Sequence, residues 1–212
     1  MNLNWDETIK ENTIAILLLG LVPTLAVTST FELAYVMGIL FFALFVLSKT
    51  VVFLFRKLLS PSLLFPLQVF INGILITIVM LLLNDYVPSI SQAFGIYLPL
   101  LAINPVHFVS LDSKKESNSF TFFYTCFKIG FSYLLLLSLL GLVRECLGAN
   151  TITIINQLSV FTNETFIYRI FPTMEWFPLT FFLRPSGAFL LLGILLACIQ
   201  KWKGRRVKNG SR

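Results

Sequence analysis

The side chains with the greatest chemical capacity in this chain are three cysteines and a single histidine. Cys126, Cys146 and Cys198 are too few and too scattered for a disulfide framework or a zinc site of recognised spacing. Cys126 and Cys198 fall inside apolar segments, where we expect them to pack as small apolar residues, and Cys146 is the one expected to be accessible. His107 has no catalytic partner at a recognisable spacing, and no glycine-rich phosphate loop occurs. Self-contained hydrolytic or nucleotide chemistry is therefore not expected.

Charged side chains inside apolar segments are the next candidates for chemistry. Lys128 lies about eight residues into its segment, which is roughly 12 Å at a rise of 1.5 Å per residue. A charge at the bilayer centre costs about 2.5 to 3.5 kcal/mol on insertion scales, so an ion-path role is one interpretation of Lys128. Snorkelling or a structural contact is the interpretation we favour. Lys49 and Arg184 lie nearer the ends of their segments, and we expect both to snorkel to an interface.

Three further charges lie at the ends of apolar segments. Glu32 begins the second segment, and the pair Arg144 and Glu145 closes the fifth. These residues either bracket the mouth of a helical bundle or cap helices and meet lipid headgroups. We favour the second interpretation, because charged residues at helix ends usually have such partners.

The segments that must position these residues are membrane-spanning helices. Of the 212 residues, 57% are hydrophobic and only 12% are charged, which is typical of a polytopic membrane protein. No cleavable signal peptide is expected, because residues 1–11 are acidic and no small-residue cleavage site follows the first apolar run. The predicted spans are Thr13–Thr28, Phe31–Phe55, Leu63–Leu83, Ile90–Leu111, Phe120–Val143 and Phe177–Gln200. A polar loop is predicted between the last two, over residues 144–176.

The positions of lysine and arginine predict the orientation of these spans. An even number of spans places both termini on one side, and that side carries eleven of the sixteen basic residues, against Arg144 and Arg169 on the other. Cytoplasmic loops retain such residues, so both termini are predicted to be cytoplasmic. The basic run over residues 201–212 directly follows a span, which is typical of a tail that faces the lipid bilayer. We expect no nucleic-acid binding.

Helix-breaking residues set the first and fourth spans apart from the others. Gly20 and Pro23 fall in the middle of the first span, and the fourth contains Gly95, Pro99 and the pair Asn104–Pro105. Proline removes a backbone donor and clashes with the preceding turn, so each span is predicted to kink or to divide into half-helices. Backbone N–H and C=O groups that a helix break leaves unpaired are tolerated at membrane depth only where protein or a water-filled cavity provides their hydrogen bonds. The breaks are therefore predicted to lie in the protein interior.

The positions of the broken spans predict an inverted repeat within one polytopic membrane domain, residues 1–212. Repeat one covers about residues 12–84, repeat two about residues 90–200, and the tail residues 201–212. Each repeat has three helices and begins with the broken one, so the two must run oppositely through the membrane. In transporters, broken helices of this kind meet near the midplane and form a binding place. The predicted fold class is all-α, with six spans in two inverted three-helix repeats.

Four blocks of the sequence, taken in order, resemble the RnfE/NqrD family of membrane subunits. "LGLVPTLAVTSTFELAYVMG" (Leu19–Gly38) is similar to the family's L-G-x-C-x-x-L-A-V-T stretch and the acidic residue that follows it. "FGIYLPLLAIN" (Phe94–Asn104) is similar to the stretch before an Asn-Cys pair. "LLGLVRECLGANTI" (Leu139–Ile152) and "LRPSGAFLLLGILLA" (Leu183–Ala197) are similar to its L-G-x-x-R-E-x-L-G-S-G segment and its final helix.

The resemblance implies a non-autonomous subunit of a translocase in the bacterial inner membrane. Such complexes transfer electrons between NADH and either quinone or ferredoxin, and they couple this transfer to sodium or proton transport. The implied partner is a sister subunit of the RnfA/NqrE type with the opposite orientation. Two family cysteines, one from each broken helix, contribute to a two-iron two-sulfur cluster shared with that sister, and soft thiolates suit such a centre.

The chain departs from the family at both of these ligand positions. The first is Val22 and the second, directly after Asn104, is Pro105, and neither side chain binds iron. The three cysteines match no family ligand position. The family's G-R-A-E-A-F-A run is replaced here by "VSLDSKKE". The resemblance therefore predicts that the architecture is retained and that this chain lacks its cluster ligands. No cofactor or metal is expected to be bound by this chain.

The leading hypothesis is a divergent subunit of an ion-translocating oxidoreductase complex, with a structural and conductive contribution. The alternative is a non-redox membrane carrier or an accessory assembly subunit on the same scaffold. An orphan membrane enzyme has little support, because no catalytic constellation is visible. The candidate ion-path or structural residues are Gly20, Pro23, Glu32, Pro99, Asn104 and Lys128.

Overall fold

The computed structural model describes residues 20–55, 60–108, 119–159, 165–169 and 179–209. The first helix covers residues 20–27 of this part (α1), and a short turn over residues 28–30 joins it to α2, Phe31–Phe55. The helix α3, Pro61–Tyr86, begins with a proline at its first position, where the missing N–H costs nothing. A second proline, Pro66, lies inside its first turns.

The predicted break in the fourth span is confirmed. This stretch consists of α4, Pro88–Phe94, then α5, Tyr97–Leu100, and then two short 3-10 turns, Leu101–Ile103 and Pro105–Phe108. Its two parts are bent by 67°. Gly95 lies at the bend with φ +46°, a conformation that glycine adopts without the steric cost a side chain would bring.

The remaining elements are α6, Ser119–Gly148, a two-stranded antiparallel sheet, and α7, Pro185–Asn209. The strands are β1, Thr151–Ile155, and β2, Phe166–Arg169, with Thr151 opposite Arg169. A 3-10 turn, Thr180–Leu183, precedes α7. The segment predicted as a loop thus contains a sheet, and the last helix begins at Pro185 rather than at residue 177 and continues through the basic run.

The fold is mostly helical, and the two-stranded sheet is its departure from the predicted all-α class. Among the described residues, α2, α3 and α6 are each long and apolar enough to cross a membrane, and the bent pair in the fourth stretch raises the number to four. Several membrane-length helices confirm the multi-pass class. The count of six spans remains a prediction, as does the repeat layout.

Small residues let α2 and α6 pack closely against each other. A Cβ added at Gly38 would come within 3.2 Å of Leu134, and one added at Gly141 would overlap Ala34. Close backbone approach at glycine and alanine is the usual way for helices to associate in lipid. On the same interface the rings of Phe41 and Tyr133 stack with centroids 3.8 Å apart. This packing fixes α6 as the element that carries side chains to both the first and the fourth stretch.

Candidate functional site

The first stretch and the interrupted fourth stretch meet at a polar junction, formed by Gly20, Thr24, Asn104 and Tyr133. Asn104 lies between the two 3-10 turns and is 1% exposed. Its Nδ2 donates to the carbonyl oxygen of Gly20 at 2.9 Å, and its Oδ1 accepts from the backbone N–H of Val106 at 3.0 Å. Asn104 therefore satisfies the broken backbone of the fourth stretch and connects it to α1.

Tyr133, from the middle of α6, completes the junction. Its hydroxyl donates to the Gly20 carbonyl oxygen at 3.0 Å and lies 2.9 Å from the hydroxyl of Thr24. The Asn104 Nδ2 also lies 3.3 Å from the Tyr133 hydroxyl. Four polar groups thus satisfy one another inside the protein, as buried polar groups must in a region without water. At Gly20 and Asn104 this agrees with the prediction that the breaks lie in the interior, whereas Gly95, at the bend, and Pro99 are exposed.

The junction is closely packed around Gly20. A Cβ at this position would lie 2.5 Å from Asn104 Oδ1 and 2.6 Å from Val106 Cγ2. The helix runs on through the half-buried Pro23 to residue 27, so the part described here is not divided at that proline. A break before residue 20 falls outside the described residues.

We expect Gly20→Ala to lower the free energy of unfolding by about 1 to 3 kcal/mol, the usual cost of overpacking. The added methyl group must displace Asn104 or Val106. Thermal unfolding in detergent measures the change. The matched control is Gly73→Ala in α3, where the added Cβ meets nothing within 4 Å. Equal stability of the Gly20 and Gly73 variants would contradict the close contact.

Val22 and Pro105, which stand where the resemblance implies cluster ligands, flank the junction. Val22 is 39% exposed, and Pro105 is partly buried beside Asn104. An iron–sulfur cluster is held by thiolates, and neither side chain has a donor atom. Among the described residues, no group of three His, Cys, Asp or Glu side chains is arranged to hold a metal. The residues present at these two positions do not fit the cluster.

Glu32 serves as an anchor for a loop. Its carboxylate is buried in the first turn of α2 and accepts the backbone N–H groups of three consecutive loop residues at 2.8 to 3.0 Å. These residues, which follow β1, are Asn156, Gln157 and Leu158. The charge also lies at the positive end of the helix dipole of α2, which stabilises it further. Its lone pairs are thus engaged with protein donors.

Arg144 is fully buried and caps two segments at once. Its Nη1 donates to the carbonyl oxygens of Leu25 and Thr28, both at 2.6 Å, at the C-terminal end of α1. Its Nε donates to Phe182 O at 3.0 Å and its Nη2 to Leu183 O at 2.9 Å. A cation is favourable at a helix C-terminus, where carbonyl groups lack partners.

Glu145 is the neighbouring cap. Its Oε2 accepts the backbone N–H of Phe31, the first residue of α2, at 2.7 Å. Its Oε1 accepts the hydroxyl groups of Thr151 and Thr153 in β1. The interpretation of Arg144 and Glu145 as capping residues agrees with these contacts. The sequence did not indicate that they cap helices other than their own.

The other candidate residues lie outside the junction in the structure. Lys128 is exposed on the surface of α6, away from the junction, and Pro99 is exposed on α5. Arg184 is exposed as well. Lys49 is 1% exposed and its Nζ is buried, so the prediction that it snorkels is wrong. Cys126 is buried as predicted and Cys146 is partly exposed, while Cys198 lies in α7.

Comparison with known proteins identifies the family. The model of the Rnf-Nqr subunit, membrane protein, matches residues 1–196. The chain belongs to the Rnf-Nqr family. This agrees with the resemblance inferred from the four sequence blocks, and it covers the junction, the three capping charges and residues 185–196 at the start of α7.

Relatives within the Rnf-Nqr family match over 80 to 94% of their own length. The E component of the Na+-translocating ferredoxin:NAD+ oxidoreductase complex from Acetobacterium woodii is 30% identical over 93% of this chain and 94% of its own length. The E component of the ion-translocating oxidoreductase complex from Haemophilus influenzae is 33% identical over 89% and 80%. The E component of the proton-translocating ferredoxin:NAD+ oxidoreductase complex from Clostridium ljungdahlii is 26% identical over 91% and 84%.

Proposed function

We propose that this chain is an integral membrane subunit of an ion-translocating oxidoreductase complex. The observation that carries the proposal is the match to the E components of such complexes over 80% or more of both chains. Its activity is that of a non-autonomous part of a translocase, in which other subunits exchange electrons with NADH and with ferredoxin or quinone. The sodium- and proton-translocating relatives leave both ions as candidates.

The polar junction supports a retained architecture for this role. The first stretch and the interrupted fourth stretch meet through Asn104 and Gly20, which is the arrangement expected of the leading helices of two inverted repeats. We propose this repeat layout for residues 12–84 and 90–200, with six spans and both termini in the cytoplasm. The proposed location is the bacterial inner membrane, and the proposed partner is a sister subunit of the RnfA/NqrE type.

We further propose that the subunit does not contribute ligands to an iron–sulfur cluster. Val22 and Pro105 stand at the positions where the family has cysteines, and their side chains do not bind iron. The chain then acts as scaffold and as wall of the ion path, and electrons bypass it or cross through groups held by other subunits.

Copurification of the native complex tests this proposal. An affinity tag on the chain is expected to retrieve a sister membrane subunit and soluble redox subunits. We expect iron analysis and paramagnetic resonance of the isolated pair of membrane subunits to show no stoichiometric two-iron cluster. A cluster that bridges the two subunits in full occupancy would contradict the proposal that this chain contributes no cluster ligands. The assignment to the complex would remain intact.

The alternative is a non-redox carrier or an accessory assembly subunit on the same scaffold. The specific observation in its favour is the loss of both thiolate positions, Val22 and Pro105. The neighbouring genes discriminate between the two functions. Genes for the other complex subunits beside this one favour the oxidoreductase, whereas an isolated gene, together with a cysteine-bearing copy elsewhere in the genome, favours the carrier.

A further inference from the structure

A second polar cluster lies inside the protein, separate from the junction. We call it the buried lysine cluster and define it by five residues that are all at most 3% exposed. Ser48 and Lys49 come from α2, Gln68 and Asn72 from α3, and His107 from the 3-10 turn Pro105–Phe108. Three elements that are far apart in the sequence thus place polar side chains together within apolar segments, where such groups are costly and mark functional sites.

Hydrogen bonds join four of these residues into one network. Gln68 Nε2 donates to Ser48 Oγ at 2.9 Å and to Asn72 Oδ1 at 3.0 Å. Asn72 Nδ2 donates to Ala102 O at 2.9 Å, which ties the network to the interrupted fourth stretch. Ser48 Oγ also lies 3.5 Å from His107 Nδ1. The side chains are therefore fixed in place rather than free to turn outward.

Three polar atoms of the cluster have no partner among the described residues: Lys49 Nζ, Gln68 Oε1 and His107 Nε2. A buried polar atom without a partner costs about 1 to 3 kcal/mol, and more when it is charged. Such atoms are commonly satisfied by an ordered water, because a buried water makes about 2 to 4 hydrogen bonds to groups of this kind.

The geometry also indicates the roles of these atoms. The single hydroxyl proton of Ser48 has the closer acceptor in Phe45 O, at 3.2 Å. With that proton engaged, Ser48 Oγ accepts from His107 Nδ1–H, and neutral His107 then presents a lone pair at Nε2. Gln68 Oε1 is an acceptor as well. Lys49 Nζ supplies only donors, so the three unpartnered atoms have the donor and acceptor character that a water molecule matches.

No acidic side chain lies near enough to neutralise Lys49 among the described residues. Glu32 lies 17 residues earlier in the same helix, which is about 25 Å along its axis. Asp85 is separated from Gln68 by the same number of residues along α3. The amino group instead lies 5.7 Å from the centroid of the Phe45 ring, and the imidazole of His107 lies 5.4 Å from the same ring. Lys49 and His107 thus flank one aromatic ring.

We propose that Lys49, Gln68 and His107 hold a water molecule and form a proton-exchange site inside the membrane. In the forward step an N–H bond of the Lys49 ammonium breaks as its proton passes to the water oxygen. Another O–H bond of that water breaks as a proton joins His107 Nε2. The step conserves protons and needs no oxidant or reductant. The place of this site in ion transport rests on the proposed function, whereas its proton chemistry does not.

Two other titratable side chains face this region from α6. Cys126 is buried on the helix opposite Lys49, and Tyr133 packs on Phe41, whose ring also contacts His107 at 5.1 Å. The hydroxyl of Tyr133 is engaged by Gly20 and Thr24 in the junction. The Tyr133 hydroxyl is therefore not available for the proposed exchange. A Cys126→Ala variant removes the other titratable group, the thiol, from the titration.

Magnetic resonance of the single histidine tests the site directly, because His107 is the only histidine in the chain. The chain is labelled with nitrogen-15 in histidine and lysine and reconstituted in lipid bilayers. We expect an unprotonated Nε2 signal at high pH and a cross peak between the imidazole and water. Lys49→Met, which keeps the length of the side chain, is expected to shift the His107 titration.

The matched control is Lys128→Met, an exposed lysine on α6, which should leave the His107 signals unchanged. An imidazole without a water cross peak, or a His107 titration that Lys49→Met does not alter, would overturn the proton-exchange site. Ion uptake by the reconstituted complex separates this result from the proposed function. A wild-type complex that transfers electrons without ion uptake would contradict the proposed function. Normal proton uptake per electron in the Lys49→Met variant would instead overturn the place of the site in transport.

Discussion

Replacing Arg144 with alanine is expected to lower the free energy of unfolding by about 3 kcal/mol or more. The side chain is fully buried and donates to the carbonyl oxygens of Leu25 and Thr28 at the end of α1 and to those of Phe182 and Leu183 before α7. Alanine leaves these acceptors unpaired in an interior where water does not replace the donors. Thermal unfolding of the purified chain in detergent, followed by circular dichroism, measures the loss.

Arg144→Lys tests whether the geometry of the guanidinium matters in addition to its charge. Lysine is a point donor on a flexible stem, and it does not reach two separate pairs of carbonyl groups as the planar fork does. We therefore expect most of the loss to persist in this variant. Arg169→Ala, an exposed arginine on β2, is the matched control and should change stability little. A fully stable Arg144→Lys variant would show that charge alone suffices.

Replacing Glu32 with glutamine is expected to destabilise the protein by about 2 to 3 kcal/mol, because hydrogen bonds to a charged group are the stronger ones. The carboxylate accepts three backbone N–H groups, from Asn156, Gln157 and Leu158. An amide has one acceptor oxygen and presents an NH2 group to the remaining donors. Amide hydrogen exchange at residues 156–158 should accelerate in this variant, which detects the release of the loop.

This variant also separates a structural role of Glu32 from a role in the ion path. If Glu32 is an anchor, the folded fraction of Glu32→Gln retains its ratio of ions transported to electrons transferred. Asp85→Asn, an exposed carboxylate at the end of α3, is the matched control. A variant of normal stability and normal hydrogen exchange that has lost ion uptake would contradict the anchoring role and restore Glu32 to the ion path.

The long helices were predictable because their signal is local. An apolar run of membrane length must satisfy its backbone internally, and a helix does so within the segment. The sequence accordingly places the second helix at Phe31–Phe55, where the structure has it. The bend in the fourth stretch was predictable for a similar reason, since Pro99 and Gly95 act on their own backbone. Composition alone likewise indicated a multi-pass membrane protein.

The short elements were predicted less well, because their formation depends on partners from elsewhere. The segment after α6 is polar and reads in the sequence as a loop, yet it forms β1 and β2. Thr151 and Thr153 are held by Glu145, and Tyr35 of α2 donates to Ile154 O at 2.7 Å. The contact between Tyr35 and Ile154 joins residues more than a hundred positions apart, and no periodicity in one segment reveals it.

The sequence by itself determined the membrane class, the positions of the main helices, the family and the absence of thiolates at Val22 and Pro105. These properties follow from residue type and from neighbours along the chain. Only the tertiary structure decided that Asn104 and Tyr133 meet at Gly20, that Arg144 caps a distant helix, and that Lys49 is buried beside His107. The physical reason is that burial and hydrogen-bond partners depend on which helices pack together. The sequence around a lysine six residues from a helix end is the same whether the side chain faces lipid or the protein interior.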